Sequence, residues 1–144
     1  MLLSGCFFFF GRDKHFRPIF ILKPVCLMKI EGNISDKVKA EAIIFSNWYA
    51  KKNMLLPGKI ESWVVIYDLE NTPFFSIPIM TLVGIGKQIV ENFKCIGAKF
   101  FVVNVCSACA LAWSGVQLFI TETQREKTSI FKENTCQEML DLIP

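Results

Sequence analysis

The sequence predicts an α/β fold, a mostly parallel sheet with helices packed on it, and three observations carry that prediction. Residues 63–69 and 100–104 are short, continuous apolar runs, which suits strands covered on both faces, as parallel strands are. Segments with apolar residues at helical spacing lie before, between and after them. The resulting order alternates strand with helix along the whole chain, the pattern of a layered α/β unit.

Each element has a local reason. Residues 1–10 read as an apolar, low-complexity N-terminus around Phe7, Phe8, Phe9 and Phe10, set apart from a domain over 11–144. The run 17–24 contains Pro18 and Pro24 at its ends, which marks a strand at or near a sheet edge. A helix is expected over 35–53, where Val38, Ala42, Phe45 and Tyr49 continue the spacing begun at Ile34, with Ser35 or Asn33 as cap and Asp36 in the first turn. Pro57 and Gly58 break the chain before the strand 63–69, and 71–73 is turn material. Pro78 suits the first turn of a helix reaching residue 93, with Ile79, Leu82, Val83, Gly86, Ile89, Val90 and Phe93 as its buried stripe. A strand at 100–104, a helix over 109–120, an extended piece at 127–131 and a last helix over 134–142 complete the order.

At 144 residues the chain is one domain or a piece of one. Its 52% hydrophobic content and mean hydropathy of +0.39 exceed what an ordinary core needs, and point to a membrane span, a partner surface or an apolar cavity. The stretch 100–121 carries no charge and is long enough to cross a bilayer. A span there would bury Asn104, Ser107, Ser114 and Gln117 in hydrocarbon, whereas a strand, a turn and an apolar-faced helix need no membrane.

A net charge of +3 without a basic run gives no nucleic-acid signature. Arg12, Lys14, Arg17, Lys23 and Lys29 make the first thirty residues basic, which favours anionic lipid only weakly. Leu3, Ser4, Gly5 and Cys6 have the residue types of a lipoprotein cleavage site but no preceding basic region, so a secretory signal is not expected. The six cysteines lie in apolar stretches, which fits buried thiols in a reducing, cytoplasmic setting.

Cys106 and Cys109 form a single C-x-x-C between a strand and a helix, the place of a redox pair. With His15 distant and no second such motif, a buried turn is the expected reading. Gly84, Gly86 and Lys87 lack the spacing of a phosphate loop. Asp68 and Glu70 read as a solvated strand end, since no Ser/His/Asp set or His/carboxylate cluster accompanies them. Enzyme activity, a metal and a cofactor are therefore not expected.

Three blocks together resemble the CRAL-TRIO family of lipid-binding domains, of the phosphatidylinositol-transfer and tocopherol-transfer type. They are Gly11 to Ile19, similar to the family's G-x-D-x-x-G-R-P; the strand from Val64 to Leu69; and Lys99 to Asn104. Phe119, Ile120, Lys127 and the closing residues 139–144 fall at family spacing. The resemblance implies an apolar cavity between the sheet and a movable gate helix, here around 113–120, which explains the apolar excess. Alternation places Trp63, Val65 and Tyr67 on one face of one strand, and Phe100 and Val102 on a face of another. These line the implied cavity together with Trp113 and Val116 from the gate.

Lys127 stands where a basic residue of the phosphatidylinositol-transfer branch meets the lipid phosphate. Gln124 replaces a threonine, Phe93 to Ile96 replace an acidic inositol contact, Trp63 and Val65 replace small hydroxyl residues, and Phe16 replaces the glycine of the entry segment that precedes Arg17 and Pro18. These departures lean toward a less polar ligand. The family's N-terminal helical bracket and closing strand are absent from the chain, so a partial module is expected. The implied function is non-enzymatic binding and transfer of a hydrophobic lipid, of phospholipid or isoprenoid type, by a cytoplasmic protein peripheral to membranes. The alternatives are a protein-interaction module without ligand, whose apolar face binds a protein partner, and an integral membrane protein spanning at 100–121.

Overall fold

A computed structural model describes residues 5–29, 35–73, 88, 91–93, 96–109, 113, 117 and 120–144. Its centre is a five-stranded sheet whose spatial order follows the chain: β1 (Phe7–Arg12), β2 (Pro18–Leu22), β3 (Trp63–Asp68), β4 (Gly97–Val103) and β5 (Thr128–Ile130). β1 runs antiparallel to β2, and every later pairing is parallel. The helices are α1 (Pro24–Met28), α2 (Asp36–Asn53), α3 (Glu122–Glu126) and α4 (Gln137–Leu142).

β3 is flanked on both sides by parallel strands and covered on both faces. Val64 and Ile66 point into one cluster with Ile19, Phe101 and Val103, against which Met139, Leu142 and Ile143 from the α4 region pack. Trp63 and Val65 point into the other, with Phe7, Phe20, Leu22, Ile43, Ala50, Phe93 and Ile96. Burying an aliphatic or aromatic side chain of this size contributes about 1.5–3 kcal/mol, so the two clusters together fix the register of the strand. β4 begins at Gly97, three residues before the expected start, and its pairing with β3 shifts between Trp63 and Val64. The Phe100 ring occupies the space a Cβ at Gly97 would need.

The sequence assigned no element to 7–10, yet Phe7, Phe8 and Phe9 pair with Leu22, Ile21 and Phe20. Alternate rings go to opposite faces: Phe7 and Phe9 lie 6.2 and 4.9 Å from the Phe20 ring, while Phe10 is exposed. Gly11, at φ +63, accommodates the irregularity between Phe9 and Arg12.

α2 spans the expected range, and Ser35 caps it by accepting the Val38 N–H at 3.4 Å. Its facing differs from the expected stripe. Val38, Phe45 and Tyr49 are about half exposed, whereas Ile43, Asn47 and Ala50 are buried. The opposing sheet face already carries Phe7, Phe20 and Trp63, so the helix approaches on its smaller side. Asn47 is accommodated there because its Nδ2 donates to the Ile43 carbonyl at 2.8 Å. Outside, Phe45 stacks on Trp48 at 6.1 Å, and Lys52 lies 5.0 Å above the Trp48 ring.

α4 begins later than expected because Cys136 is its cap, accepting the Met139 N–H at 3.3 Å. The expected helices over 78–93 and 109–120 fall mostly outside the described residues.

The turn between β1 and β2 is organised by Asp13, a buried carboxylate that accepts the N–H groups of His15 and Arg17 at 2.9 and 2.8 Å and pairs with Arg17 Nε at 2.7 Å. This arrangement holds Phe16 at φ +62, in the left-handed region, with its side chain 68% exposed. A phenylalanine there pays a steric cost that a glycine does not. Phe16→Gly should therefore raise stability by about 1 kcal/mol, read as a higher urea midpoint at unchanged slope.

Candidate functional site

The parallel register brings the predicted site residues of β3 and β4 onto one sheet face: Val65 stands opposite Phe100 and Tyr67 opposite Val102. Phe100 and Val102 in turn stand opposite Thr128 and Ile130. Burial is graded across this face. Trp63 and Val65 are buried, with the Trp63 ring 6.4 Å from Phe9 and 6.2 Å from Phe93. Tyr67, Phe100, Val102, Thr128 and Ile130 are only half-buried. Trp63 is thus packed as core, while Tyr67, Phe100 and Val102 continue into β5 as a partly covered apolar strip. Burial raises the Tyr67 phenol above its ordinary pKa, so it stays neutral.

Lys127 ends α3 and precedes β5, at the N-terminal edge of this strip. Its carbonyl accepts the Phe100 N–H at 2.9 Å, and its ammonium donates to the Gly97 carbonyl at 3.2 Å. Gln124 spends its side chain on the cap of α3, accepting the Thr121 N–H at 2.9 Å while Thr121 accepts the Gln124 N–H at 3.3 Å. Trp113 is helical and half-buried. Val116 and most of the expected gate helix lie outside the described residues.

The C-terminal strand ends hold an arrangement that the sequence did not reveal. Asp68 is not a solvated strand end: its side chain is 13% exposed, with Oδ2 3.1 Å from Lys23 Nζ. Oδ1 accepts from Asn104 Nδ2 at 2.7 Å and from the Glu70 N–H at 3.0 Å. Burial opposes the Asp68 charge, but the bonds from Asn104, Glu70 and Lys23 outweigh it and hold the carboxyl below its ordinary pKa. Lys23 is raised, chiefly by its bond to Asp68. These residues border a groove of about 420 Å³ floored by Ile21, Ile66 and Met139, on the α4 side of the sheet and so opposite the predicted strip.

The charge-free stretch opens as β4, whose residues 100–102 are paired on both sides. Among the described residues no helix is long and apolar enough to cross a membrane, and no group of three or more His, Cys, Asp or Glu side chains is placed to hold a metal ion.

A mostly parallel five-stranded sheet with helices packed on it defines an α/β domain. The chain belongs to the CRAL/TRIO domain family, whose model matches residues 2–144. Membership fits lipid binding or transfer, in a family whose members are generally not enzymes. The fold is similar to the crystal structure of Sfh5, with a TM-score of 0.66 at 14% identity over 90% of this chain. The chain spans 50% of the length of that structure. Comparison with curated proteins finds no match.

Asn104 adopts φ +57, which glycine also tolerates, so Asn104→Gly removes the amide while keeping the backbone accessible. The variant should lose about 1–2 kcal/mol at pH 7. Because the folded Asp68 pKa is lowered, its contribution is complete above about pH 4 and is lost as pH falls through the folded value. Lys23, being raised, contributes below about pH 10 and loses its share as pH rises past its folded value. Urea unfolding at stepped pH should accordingly show a shallower acid limb in Asn104→Gly than in the parent.

Proposed function

We propose that this domain binds a hydrophobic lipid without catalysis, on the sheet face of Tyr67, Phe100 and Val102, and exchanges it at membrane surfaces that it meets transiently from the cytoplasm. The observation that carries this reading is the burial gradient: the face is fully buried at Trp63 and Val65 but retains some exposure at Tyr67, Phe100, Val102 and Ile130. Apolar surface left exposed there is available to an acyl or isoprenoid chain, and membership of the CRAL/TRIO family supports a lipid as the ligand. Trp113 and Val116 belong to the charge-free segment that follows β4, and complete the proposed lining. Lys127 supplies a cation at the edge; leaving the Gly97 carbonyl for a lipid phosphate exchanges a neutral acceptor for a charged one.

Organic-solvent extraction of the purified, folded protein followed by mass spectrometry tests the reading. Co-purifying lipid is the expected result, and an empty protein that takes up no lipid from vesicles would refute it. Lys127→Ala should weaken binding of phosphate-bearing lipids by about tenfold, the loss of one charge-assisted hydrogen bond, and leave neutral lipids unaffected. An equal loss for both removes Lys127 from headgroup recognition.

One observation favours a second reading, a protein-interaction module: α2 presents Val38, Phe45, Trp48 and Tyr49 outward. An empty protein that co-elutes with a stable partner, and loses it on Trp48→Ala, would select this reading over lipid carriage.

A further inference from the structure

The C-x-x-C motif is not the buried turn that its neighbours in sequence suggest. The backbone leading to it is pinned, with the Asn104 N–H donating to the Glu133 carbonyl at 3.0 Å and the Val105 N–H to the Phe131 carbonyl at 3.1 Å. Val105 is buried, but Cys106 immediately after it is exposed. Residues 107–109 are helical, and three-residue spacing puts the two thiols on one side of that turn. The two Sγ atoms are 3.0 Å apart, and the Cys109 N–H donates to Cys106 Sγ at 3.3 Å. Cys109 is the more covered of the two. One sulfur can therefore be reached from solution, and the other lies within reach of the first.

We propose that Cys106 and Cys109 are a redox-active pair, converted by a low-molecular-weight disulfide into an intrachain disulfide, with Cys106 as the attacking sulfur and Cys109 as the resolving one. The Cys106 thiolate attacks one sulfur of the small disulfide, whose S–S bond breaks and releases one thiolate, leaving a mixed disulfide on Cys106. Cys109 then gives up its proton and attacks Cys106 Sγ, expelling the second small thiol. Two protein thiols are oxidised and one small disulfide is reduced to two thiols.

The electrostatics agree with these roles. The hydrogen bond from Cys109, aided by the backbone N–H groups, holds the Cys106 thiol below its ordinary pKa. Burial, and then the interaction with Cys106, pushes Cys109 up to about 11. Of the two, the exposed sulfur is therefore the first to ionise. Among the described residues, the hydrogen bonds of the pair involve none of the strip on β3 and β4.

The test is incubation of the full chain with oxidised glutathione, acid quenching, alkylation of the remaining thiols and peptide mapping by mass spectrometry. The expected result is the loss of two alkylatable thiols per chain, a peptide cross-linked through Cys106 and Cys109, and recovery of both thiols with dithiothreitol. In Cys109→Ser the cross-link should be lost and a glutathione adduct should accumulate on Cys106. Retention of both thiols in the parent chain, at a glutathione disulfide excess that modifies Cys136, would overturn the proposal. So would an adduct in Cys109→Ser on a cysteine other than Cys106. The parent chain alone decides whether the pair forms, so a poorly folding variant does not blunt the test.

Discussion

The architecture depends on the double coverage of β3. Its alternating side chains supply both hydrophobic clusters at once: Trp63 and Val65 toward α2, Val64 and Ile66 toward α4. A slip of one residue would exchange the two sets, placing the indole in a layer that fits branched aliphatic side chains. Both neighbours are parallel, so their C-terminal ends finish together, and Lys23 after β2 and Asn104 after β4 both reach Asp68 at the end of β3. That polar knot locks the strand ends in the direction in which the hydrophobic clusters lock the faces.

The same constraint separates the chemistry of the two faces. On the α4 side, polar groups sit among apolar ones: Lys99 pairs with Glu138, which also accepts from Ser129 Oγ at 2.8 Å. The bond from Lys99, set against burial, keeps the Glu138 carboxyl below its ordinary pKa and so ionised. On the α2 side the strip of Tyr67, Phe100 and Val102 has no such ion pair among the described residues, and its members are only partly buried. The sheet is thus polar-buttressed on one side and apolar on the other, the side on which we propose that the lipid lies. The thiol pair follows β4 at the end that Asp68 and Asn104 tie together.

Much of the fold was legible because its signals are local. β2 and β3 announced themselves through short apolar runs, bounded by prolines at β2, and α2 through its spacing and the Ser35 cap. β1 was hidden because four consecutive phenylalanines erase the alternation that marks a strand with two different faces. The Gln124 that looked like a lost contact is half of a capping box, a role visible in the spacing Thr121 to Gln124. Of the site, the residues of β3 and β4 were correctly placed on strands, but Trp63 and Tyr67, two residues apart, differ in whether they are core or partly open.

The sequence by itself determined the strands β2 to β5, the extent of α2, the mostly parallel character of the sheet and the apolar excess, since periodicity and composition act over a few residues. Tertiary structure alone decided which side of α2 is buried, because that depends on the volume already present on the sheet. It also decided that Asp68 is paired rather than solvated and that Cys106 is exposed. Those outcomes join residues as far apart as Asp68 and Asn104, 36 positions along the chain, and no local pattern encodes a contact made only when strands finish side by side.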